Sequence, residues 1–260
     1  QRITIINEGG LDAWLCWFDG EFTKKKHTSQ LYKRYPGYSD IGNSQFFVRI
    51  INPNSLLENV TMPLYEQIGI RILGPIGKGL DFINNLLLRN RNSQTRMYNE
   101  DDAEICLDLI AKYSPEVGIK REWSLEEIER EFPTDIDLSR PPEERFSPFT
   151  TVYTIDGSVE GIIHGHYMSL KQVPTQEERE LEQDYEAINF VFVKEVRYSD
   201  RMSGKDMRKF WHQTSQIADQ EQAVFIGIFD DLYSQIQPKN LVSAGFSPLA
   251  ERTFLRSGTA

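Results

Sequence analysis

The chain has 260 residues, of which 39% are hydrophobic and 12% are aromatic, and its formal net charge is -10. This length and composition are typical of one large or two ordinary globular domains, and they exclude a chain that is disordered throughout. The acidic balance argues against a protein that binds nucleic acid through its phosphates, because that affinity comes from clustered Lys and Arg.

The sequence predicts neither a disulfide framework nor a membrane-spanning segment nor a secretion signal. The two cysteines, Cys16 and Cys106, lie far apart with no second pair, so neither a disulfide framework nor a zinc ribbon is predicted. No segment reaches about 18 consecutive apolar residues, and no charged-then-apolar leader opens the chain. We therefore expect a cytoplasmic protein without a membrane span. Because the chain starts at Gln1, we also expect it to be a piece of a longer protein.

The first ninety or so residues predict two strands and two helices. The segments "LDAWLCWF" and "FFVRII" favour strands, "VTMPLYEQIG" favours a helix that ends in a glycine, and "LDFINNLLLRN" favours another helix. The polar stretch "RNRNSQTRMYNEDD" then marks a boundary. We predict one unit over residues 1–92 and a second over 93–260.

The second unit opens with two helices and a hairpin. A helix is predicted over Asn99–Tyr113, and a short acidic helix follows over Ser124–Glu131 behind a Ser-x-x-Glu capping box. Two β-rich runs then flank Asp156-Gly157, a dipeptide typical of tight hairpin turns.

The rest of the second unit alternates strands and helices. A strand over Ile188–Val196 leads into a helix, followed by the strand "AVFIGIF", a short helix through Asn240, the turn "SAGFSP" and a last strand over Thr253–Arg256. The long helix has one apolar face, made of Met207, Phe210, Trp211, Thr214, Ile217 and Ala218. His212 lies on its polar side, where we expect it to be exposed. This order predicts a mixed α/β (α+β) fold and not a doubly wound parallel sheet.

The turn between that strand and the long helix is the first candidate for a binding site. A strand-to-helix turn presents unpaired backbone N–H groups and the positive end of the helix dipole at one point, so it can hold a phosphate. The sequence Arg201-Met202-Ser203-Gly204-Lys205-Asp206 places two cations and a glycine there. An ordinary connection between a strand and a helix is the alternative.

The same turn resembles the signature of the GCN5-related N-acetyltransferase (GNAT) superfamily, Gln/Arg-x-x-Gly-x-Gly/Ala. Arg201 and Gly204 are in register with it, and Asp206 stands where glycine or alanine is expected. The preceding Val196 matches the spacing of the family's Val-x-Pro-x-x-Arg, and Asn240 with "LVSAGF" resembles a shortened form of its last helix motif. The resemblance covers roughly Arg96 to Arg256. It implies a mixed sheet flanked by helices and an acyl-CoA co-substrate, most often acetyl-CoA.

The resemblance also implies which residues would contact that co-substrate. The backbone N–H groups of the turn would hold its pyrophosphate, Arg201 and Lys205 would add charge, and the strand edge would pair with the pantetheine amides. The implied set is Val196, Tyr198, Arg201, Met202, Ser203, Gly204, Lys205, Asp206 and Asn240. Asp206 either lies beside the phosphates, so that Asp206→Gly tightens binding, or serves the helix N-terminus instead.

Family members often use a carboxylate on the fourth strand as general base and a tyrosine on the last helix as acid toward the thiolate. We name Glu186 and Glu195, at either end of the strand, as candidate bases. The tyrosine position is Leu241 here, but "PLYEQIGI" places Tyr65 four residues before Gly69, as the family motif does. This resemblance predicts that residues 1–92 are a partial second GNAT-like unit, as in tandem members, and that Tyr65 is a candidate acid.

His164 and His166 share one strand face but have no third ligand at metal-binding spacing, so no metal site is predicted. The leading functional hypothesis is an acyl-CoA-dependent N-acyltransferase that transfers acetyl from acetyl-CoA to a primary amine of a small molecule or peptide. The alternative is a GNAT-like binding or assembly module without activity, which Asp206 and Leu241 favour. An unrelated α+β structural protein is a third class.

Overall fold

The computed structural model describes residues 2–7, 10–19, 38–60, 71, 92–113, 122–141, 144–171, 186–229 and 238–257. The chain divides into two compact units, one made of residues 1–47, 229–231 and 248–260 and the other of residues 48–228 and 232–247. These units do not follow the predicted boundary at residue 92, so the two GNAT-like units over 1–92 and 93–260 stay a prediction.

The smaller unit contains antiparallel strands. Strand β1, Arg2–Asn7, pairs with β2, Gly10–Asp19, and β2 pairs with the last strand of the chain, β9, Ser247–Ser257. Strand β3, Tyr38–Ile50, contributes residues to both units. The strands predicted from "LDAWLCWF" and "FFVRII" are thereby confirmed. The two helices predicted from "VTMPLYEQIG" and "LDFINNLLLRN" lie outside the described residues, as does Tyr65.

The larger unit is a mixed sheet with helices. Its strands follow the order β8-β7-β6-β5-β4, in which only the β7–β8 pair is parallel among the pairs described. This confirms the predicted mixed α/β class. In chain order the elements are α1 Pro53–Asn59, β4 Ser93–Met97, α2 Ala103–Lys112, α3 Leu125–Glu131, β5 Phe146–Ile155, β6 Ser158–Leu170, β7 Ile188–Tyr198, α4 Gly204–Gln220, β8 Ala223–Phe229 and α5 Pro238–Ser243.

Local signals set several of these boundaries. Helix α3 begins with the predicted capping box, in which the Ser124 N–H donates to the Glu127 carboxylate at 2.9 Å and the Glu127 N–H donates to the Ser124 hydroxyl at 3.2 Å. The β5–β6 hairpin turns at Asp156 and Gly157, whose φ angles of 51° and 83° are those that favour such residues. Helix α1, which sequence reasoning missed, begins at Asn52-Pro53, where the Asn52 side chain accepts from the Ser55 N–H at 3.2 Å.

The core of the larger unit lies on both faces of the sheet. Helices α2 and α3 pack on one face through Cys106, Leu109, Ile110, Ile128 and Phe132, which contact Val152 and Ile162. Burial raises the pKa of the Cys106 thiol to about 12. Helix α4 covers the other face, where Phe210 lies 5.3 Å from Tyr153 between ring centroids.

His212 on α4 was expected to be exposed, and this prediction is wrong, because only 4% of the residue is exposed. The helix is covered on more than its apolar face. Gln213 accepts from the N–H and hydroxyl of Thr95 on β4, and Trp211 packs against Phe246 after α5, at 4.9 Å between ring centroids. A helix covered from two sides also buries polar residues that a single apolar stripe would leave exposed.

Two β-bulges shape the middle of the sheet. The register between β5 and β6 skips Glu160, and the register between β6 and β7 skips Lys194. A bulge places one extra residue on its strand and turns the side chains near it in new directions. Both bulged residues recur in the candidate site. In the part of the chain that the structure describes, no helix is both long enough and apolar enough to cross a bilayer.

Candidate functional site

Strand β7 continues beyond its parallel neighbour. The pairing of β7 with β8 ends at Val193 and Ile228, whereas its pairing with β6 continues to Tyr198. The last part of β7 therefore has β6 on one side and extends past the described pairing with β8 on the other. It leads directly into the turn before α4.

The backbone of Val196 and Tyr198 points away from β6. The Ser199 N–H donates to the Glu160 carbonyl at 2.8 Å, so Ser199 faces β6, and the alternation of an antiparallel pair turns Tyr198 and Val196 to the opposite side. The Arg197 guanidinium already donates to the Val196 carbonyl at 2.8 Å. Burial raises the pKa of the half-buried Tyr198. These are the two positions that the GNAT resemblance assigns to the pantetheine amides.

The turn ends in a complete capping box. The Asp206 carboxylate accepts from the N–H of Ser203 at 2.9 Å and from its hydroxyl at 2.6 Å, and the Asp206 N–H donates back to that hydroxyl at 3.3 Å. The hydroxyl of Tyr153 also donates to Asp206, at 3.3 Å. Asp206 is only 3% exposed, so its charge is directed into the turn and against β5.

This capping changes which N–H groups a phosphate could meet. The N–H of Met202 donates to the Ser199 carbonyl at 3.1 Å, and those of Ser203 and Asp206 belong to the capping box. The N–H groups of Gly204 and Lys205, at the first two positions of the 17-residue helix α4, take no part in the capping box. A Cβ added at Gly204 would meet no atom within 4 Å, so that position is open to a ligand.

Arg201 is held by carboxylates. Its guanidinium pairs with the buried Glu160, which also accepts from the Ser199 hydroxyl, and lies 3.9 Å from the Asp156 carboxylate. Of the two cations predicted for a phosphate, Arg201 therefore already has acidic partners on β6 and in the β5–β6 turn. Lys205 is exposed at the start of α4.

A group of polar side chains that sequence reasoning did not assemble lies across β5, β6 and β7. We call it the polar cluster, and it consists of Thr150, His164, His166, Lys194, Glu195 and Arg197. His164 Nδ1 lies 2.9 Å from the Thr150 hydroxyl, and Lys194 Nζ lies 2.5 Å from His166 Nε2. Glu195 and Arg197 form a buried ion pair at 2.5 Å. The sequence signal for this cluster is the i, i+2 spacing of His164 and His166 on β6 and of Glu195 and Arg197 on the neighbouring strand β7.

The rest of the polar cluster's surroundings are aromatic. Phe132 stacks on His164 at 4.3 Å between centroids, and Trp123 meets the same imidazole edge-on at 5.5 Å. Phe146 lies 4.5 Å from the ring of His166. Both histidines are thus buried among partners, at 0% and 8% exposure. Within the described part of the chain, no three His, Cys, Asp or Glu side chains are grouped so as to hold a metal ion.

The remaining candidates are dispersed. Glu186 is exposed just before β7, and its N–H donates to the Asn59 side chain at 3.0 Å. Asn240 is half-buried on α5, and its carbonyl accepts from the N–H of Ala244 at 3.0 Å. Leu241, at the family's tyrosine position, is completely buried. The turn and the polar cluster, in contrast, are both connected to β7: the strand carries three residues of the cluster and leads into the turn.

Leu241→Tyr should not restore a proton donor. The side chain of Leu241 has no exposed area, so a larger phenol would overpack α5, and we expect the free energy of unfolding to fall by about 1–3 kcal/mol. Urea denaturation of the variant and of the neighbouring exposed control Val242→Tyr measures this difference. Equal stability of Leu241→Tyr and the wild type would show that the site has room for the family's tyrosine.

Comparison with known proteins agrees with the geometry at the level of the fold. No protein-family model and no curated protein sequence matches the chain. A structure of Saccharomyces cerevisiae N-myristoyltransferase with bound myristoyl-CoA is similar at 12% identity, with a TM-score of 0.52, over 96% of this chain and 64% of that one. A second, with myristoyl-CoA and inhibitors, has 10% identity and a TM-score of 0.52, over 97% and 66%.

A GCN5-related N-acetyltransferase from Kribbella flavida is also similar, at 10% identity over 95% of this chain and 68% of that one, but its TM-score of 0.44 is too low to add to the argument. The chain spans slightly less than two thirds of the N-myristoyltransferase structures that it matches. At this identity the likeness shows the fold alone. The chain is similar in fold to these N-myristoyltransferase structures, and its mixed sheet flanked by helices agrees with the predicted strand order.

Proposed function

We propose that the protein is an acyl-CoA-dependent N-acyltransferase that transfers acetyl from acetyl-CoA to a primary amine of a small molecule or peptide. The observation that carries this proposal is the course of β7. It extends past its pairing with β8 at Val193 and leads into a turn with the N–H groups of Gly204 and Lys205 at a helix N-terminus. Such N–H groups and the helix dipole favour a phosphate, and the GNAT fold makes acyl-CoA the expected source.

The residues present fit that co-substrate in part. The N–H groups of Gly204 and Lys205 would hold a pyrophosphate oxygen, and the exposed Lys205 ammonium would add charge. The edge of β7 at Val196 and Tyr198 would lie along the pantetheine. When bound, acyl-CoA supplies the thioester carbon that the amine attacks.

The chain's own contribution to the chemistry would be to remove a proton from the attacking amine. Glu195 is a candidate base on β7, although its carboxylate is paired with Arg197, and Glu186 is the exposed alternative. His166 is held by Lys194 on the bulge of β7, directly before Glu195. Bulges often place side chains next to active sites, so the polar cluster is where we expect the proton to go.

Titration with acetyl-CoA tests the proposal, because a ligand that binds only the native state raises its apparent stability by RT ln(1 + [L]/Kd). Myristoyl-CoA is the second donor to test, since structural neighbours were solved with it bound. A rise in melting temperature with either acyl-CoA, together with thiol release when an amine is added, is the expected result. No shift with millimolar acetyl-CoA or myristoyl-CoA would contradict binding.

A binding or assembly module without activity is the second candidate. Two observations favour it: Asp206 is committed to the capping box, and Leu241 is buried where the family often has its acid. This candidate predicts a thermal shift without turnover. Thiol release measured across a panel of small-molecule and peptide amines separates the two, since any amine-dependent turnover excludes the inactive module.

Gly204→Val is expected to weaken acyl-CoA binding by about tenfold, or about 1.4 kcal/mol, because a branched side chain would stand where the pyrophosphate meets the backbone. The fold should persist, since the added Cβ meets no atom within 4 Å. Calorimetric titration with acetyl-CoA measures the affinity, and Lys239→Val at an exposed position of α5 is the control. Unchanged affinity in Gly204→Val would place the cofactor elsewhere.

A further inference from the structure

Lys194 is the extra residue of the bulge in β7, where the register with β6 passes from Val193 directly to Glu195. A bulge directs side chains differently from a regular strand, often beside an active site. Here the residue is exposed, and its Nζ lies 2.5 Å from Nε2 of His166 on β6. A primary amine and a potential base are therefore in contact within the polar cluster.

The contact between the two nitrogen atoms has a direction. At hydrogen-bond distance one nitrogen must donate and the other must accept through a lone pair, which an imidazolium does not have. Lysine is the stronger base of the two residue types, so Lys194 donates and His166 Nε2 accepts. His166 thus presents a lone pair to the amine of Lys194, as an imidazole does when it acts as a general base.

The surroundings of this pair are apolar on one side. The ring of Phe146 lies 4.5 Å from that of His166 between centroids, and Phe146 is 58% exposed. Four residues lie opposite one another on β5, β6, β7 and β8 and so share one face of the sheet: Phe146, Met168, Phe190 and Phe225. His166 is two residues from Met168 and is on the same face. An acyl group near His166 would lie beside this apolar surface.

The thioester of a bound acyl-CoA would lie close to Lys194. With the pyrophosphate at Gly204 and the pantetheine along Tyr198 and Val196, the acyl end points toward the start of β7. Lys194 is four residues before Tyr198, about 13 Å along a strand, and it directly follows Val193, where the pairing with β8 ends. The chain therefore has a primary amine of its own, the acceptor class of the proposed function, at the expected place of the acyl group.

We propose that the protein transfers an acyl group from acyl-CoA to its own Lys194, with His166 as the base. The inference rests on the proposed function, because acyl-CoA is the donor. After the Lys194 ammonium has lost one proton to solvent, its nitrogen attacks the thioester carbon. The C–N bond forms and the C–S bond breaks. The second proton of the nitrogen passes through His166 Nε2 to the thiolate, so the products are an acyl-lysine and free coenzyme A.

The experiment incubates three chains with acetyl-CoA and follows the acetylation of individual lysines by peptide mass spectrometry. The chains are the wild type, Lys194→Arg, which keeps the positive charge but removes the amine, and His166→Gln, which keeps a hydrogen-bond acceptor but removes the base. Lys239, an exposed lysine on α5, is the internal control. Circular dichroism melts verify that both variants fold.

In the wild type we expect one acetyl group per chain, on Lys194, at a rate that saturates with acetyl-CoA and does not depend on the protein concentration. Acetylation of Lys239 should be at least tenfold slower. Lys194→Arg should gain no acetyl group at this rate, and His166→Gln should acetylate Lys194 about 10²-fold more slowly, the lower end of the usual effect of a general base.

Two results in the wild type would overturn the inference, whether or not His166→Gln folds. Equal rates at Lys194 and Lys239 would mean chemical acylation only, and an unmodified Lys194 in a chain that binds acetyl-CoA would mean that the amine is not an acceptor. An unchanged rate at Lys194 in folded His166→Gln would overturn the role of His166.

The failure of the proposed function has a different signature. If neither acetyl-CoA nor myristoyl-CoA shifts the melting temperature, the proposed function falls, and a limiting amount of N-acetoxysuccinimide then tests the pair without coenzyme A. Labelling of Lys194 ahead of Lys239 that is lost in His166→Gln supports an activated acceptor lysine, and equal labelling of the two lysines would overturn it. Turnover of acetyl-CoA with added amines but without acetylation of Lys194 would overturn the inference alone.

Discussion

Glu195→Ala is expected to lower the free energy of unfolding by about 3–5 kcal/mol, which is the usual cost of removing one partner from a buried ion pair. The side chains of Glu195 and Arg197 are 6% and 4% exposed, and they lie 2.5 Å apart on β7. Removing the carboxylate leaves a permanent positive charge in the sheet without its counter-charge. Equilibrium denaturation in urea measures the loss.

The double variant Glu195→Leu/Arg197→Met is the matched control for this prediction. Replacing a buried pair by apolar side chains of similar volume is often neutral or stabilising, so the double variant should regain most of the stability that Glu195→Ala loses. If the double variant is as unstable as the single one, the loss comes from packing and not from the uncompensated guanidinium.

Substitution by glutamine distinguishes the two candidate bases, Glu195 and Glu186. If Glu195 takes the proton of the amine, Glu195→Gln should reduce turnover of acetyl-CoA by about 10²–10⁴. Glu186→Gln, at an exposed residue before β7, should then leave turnover unchanged. The reverse result would assign the base to Glu186 and leave Glu195 with the structural role that its pairing with Arg197 indicates.

Elements with a local chemical cause could be predicted from the sequence. The hairpin was predictable because Asp156 and Gly157 adopt positive φ angles without strain, and α3 because Ser124 and Glu127 satisfy each other's N–H groups. The strand before the turn was predicted to end at Val196 and extends to Tyr198, a difference within the usual uncertainty of boundaries.

Of the candidate site, the turn could be predicted from the sequence and the polar cluster could not. The turn at Arg201 and Gly204 is local, so its spacing was readable, whereas the polar cluster depends on which residues of β6 face which residues of β7. The bulge at Lys194 shifts that register, placing Glu195 opposite His164 and Phe192 opposite His166. A one-residue shift changes the face of every side chain beyond it, and nothing in the composition of β7 marks it.

Asp206 shows why a motif position does not settle a role. The sequence left two interpretations open, a carboxylate beside the phosphates or a helix cap. The structure places the Asp206 carboxylate in bonds with the Ser203 N–H and the hydroxyls of Ser203 and Tyr153. Its role as a cofactor contact stays a prediction, and its position supports the cap.

Asp206→Gly is therefore expected to lower the free energy of unfolding by about 2–4 kcal/mol. Hydrogen bonds to a charged group contribute about 1.5–3 kcal/mol, and the loss of a helix cap adds about 1 kcal/mol. Burial lowers the pKa of the nearby Lys209, and the charge of Asp206 opposes that shift, so the variant should lower the pKa of Lys209 further. Urea denaturation and NMR titration of Lys209 measure the two effects.

The effect on binding decides between the two interpretations of Asp206. Because Asp206 is 3% exposed and its carboxylate is directed into the turn, we expect Asp206→Gly to bind acetyl-CoA no more tightly than the wild type does. If the carboxylate lay beside the pyrophosphate instead, removing its repulsive charge would improve the affinity about tenfold or more. Asp206→Asn, which keeps the shape and removes the charge, is the matched control. Tenfold tighter binding in both variants would place the carboxylate beside the phosphates. Weaker stability with unchanged affinity in Asp206→Gly would assign it to the helix cap and leave the N–H groups of Gly204 and Lys205 as the phosphate contacts.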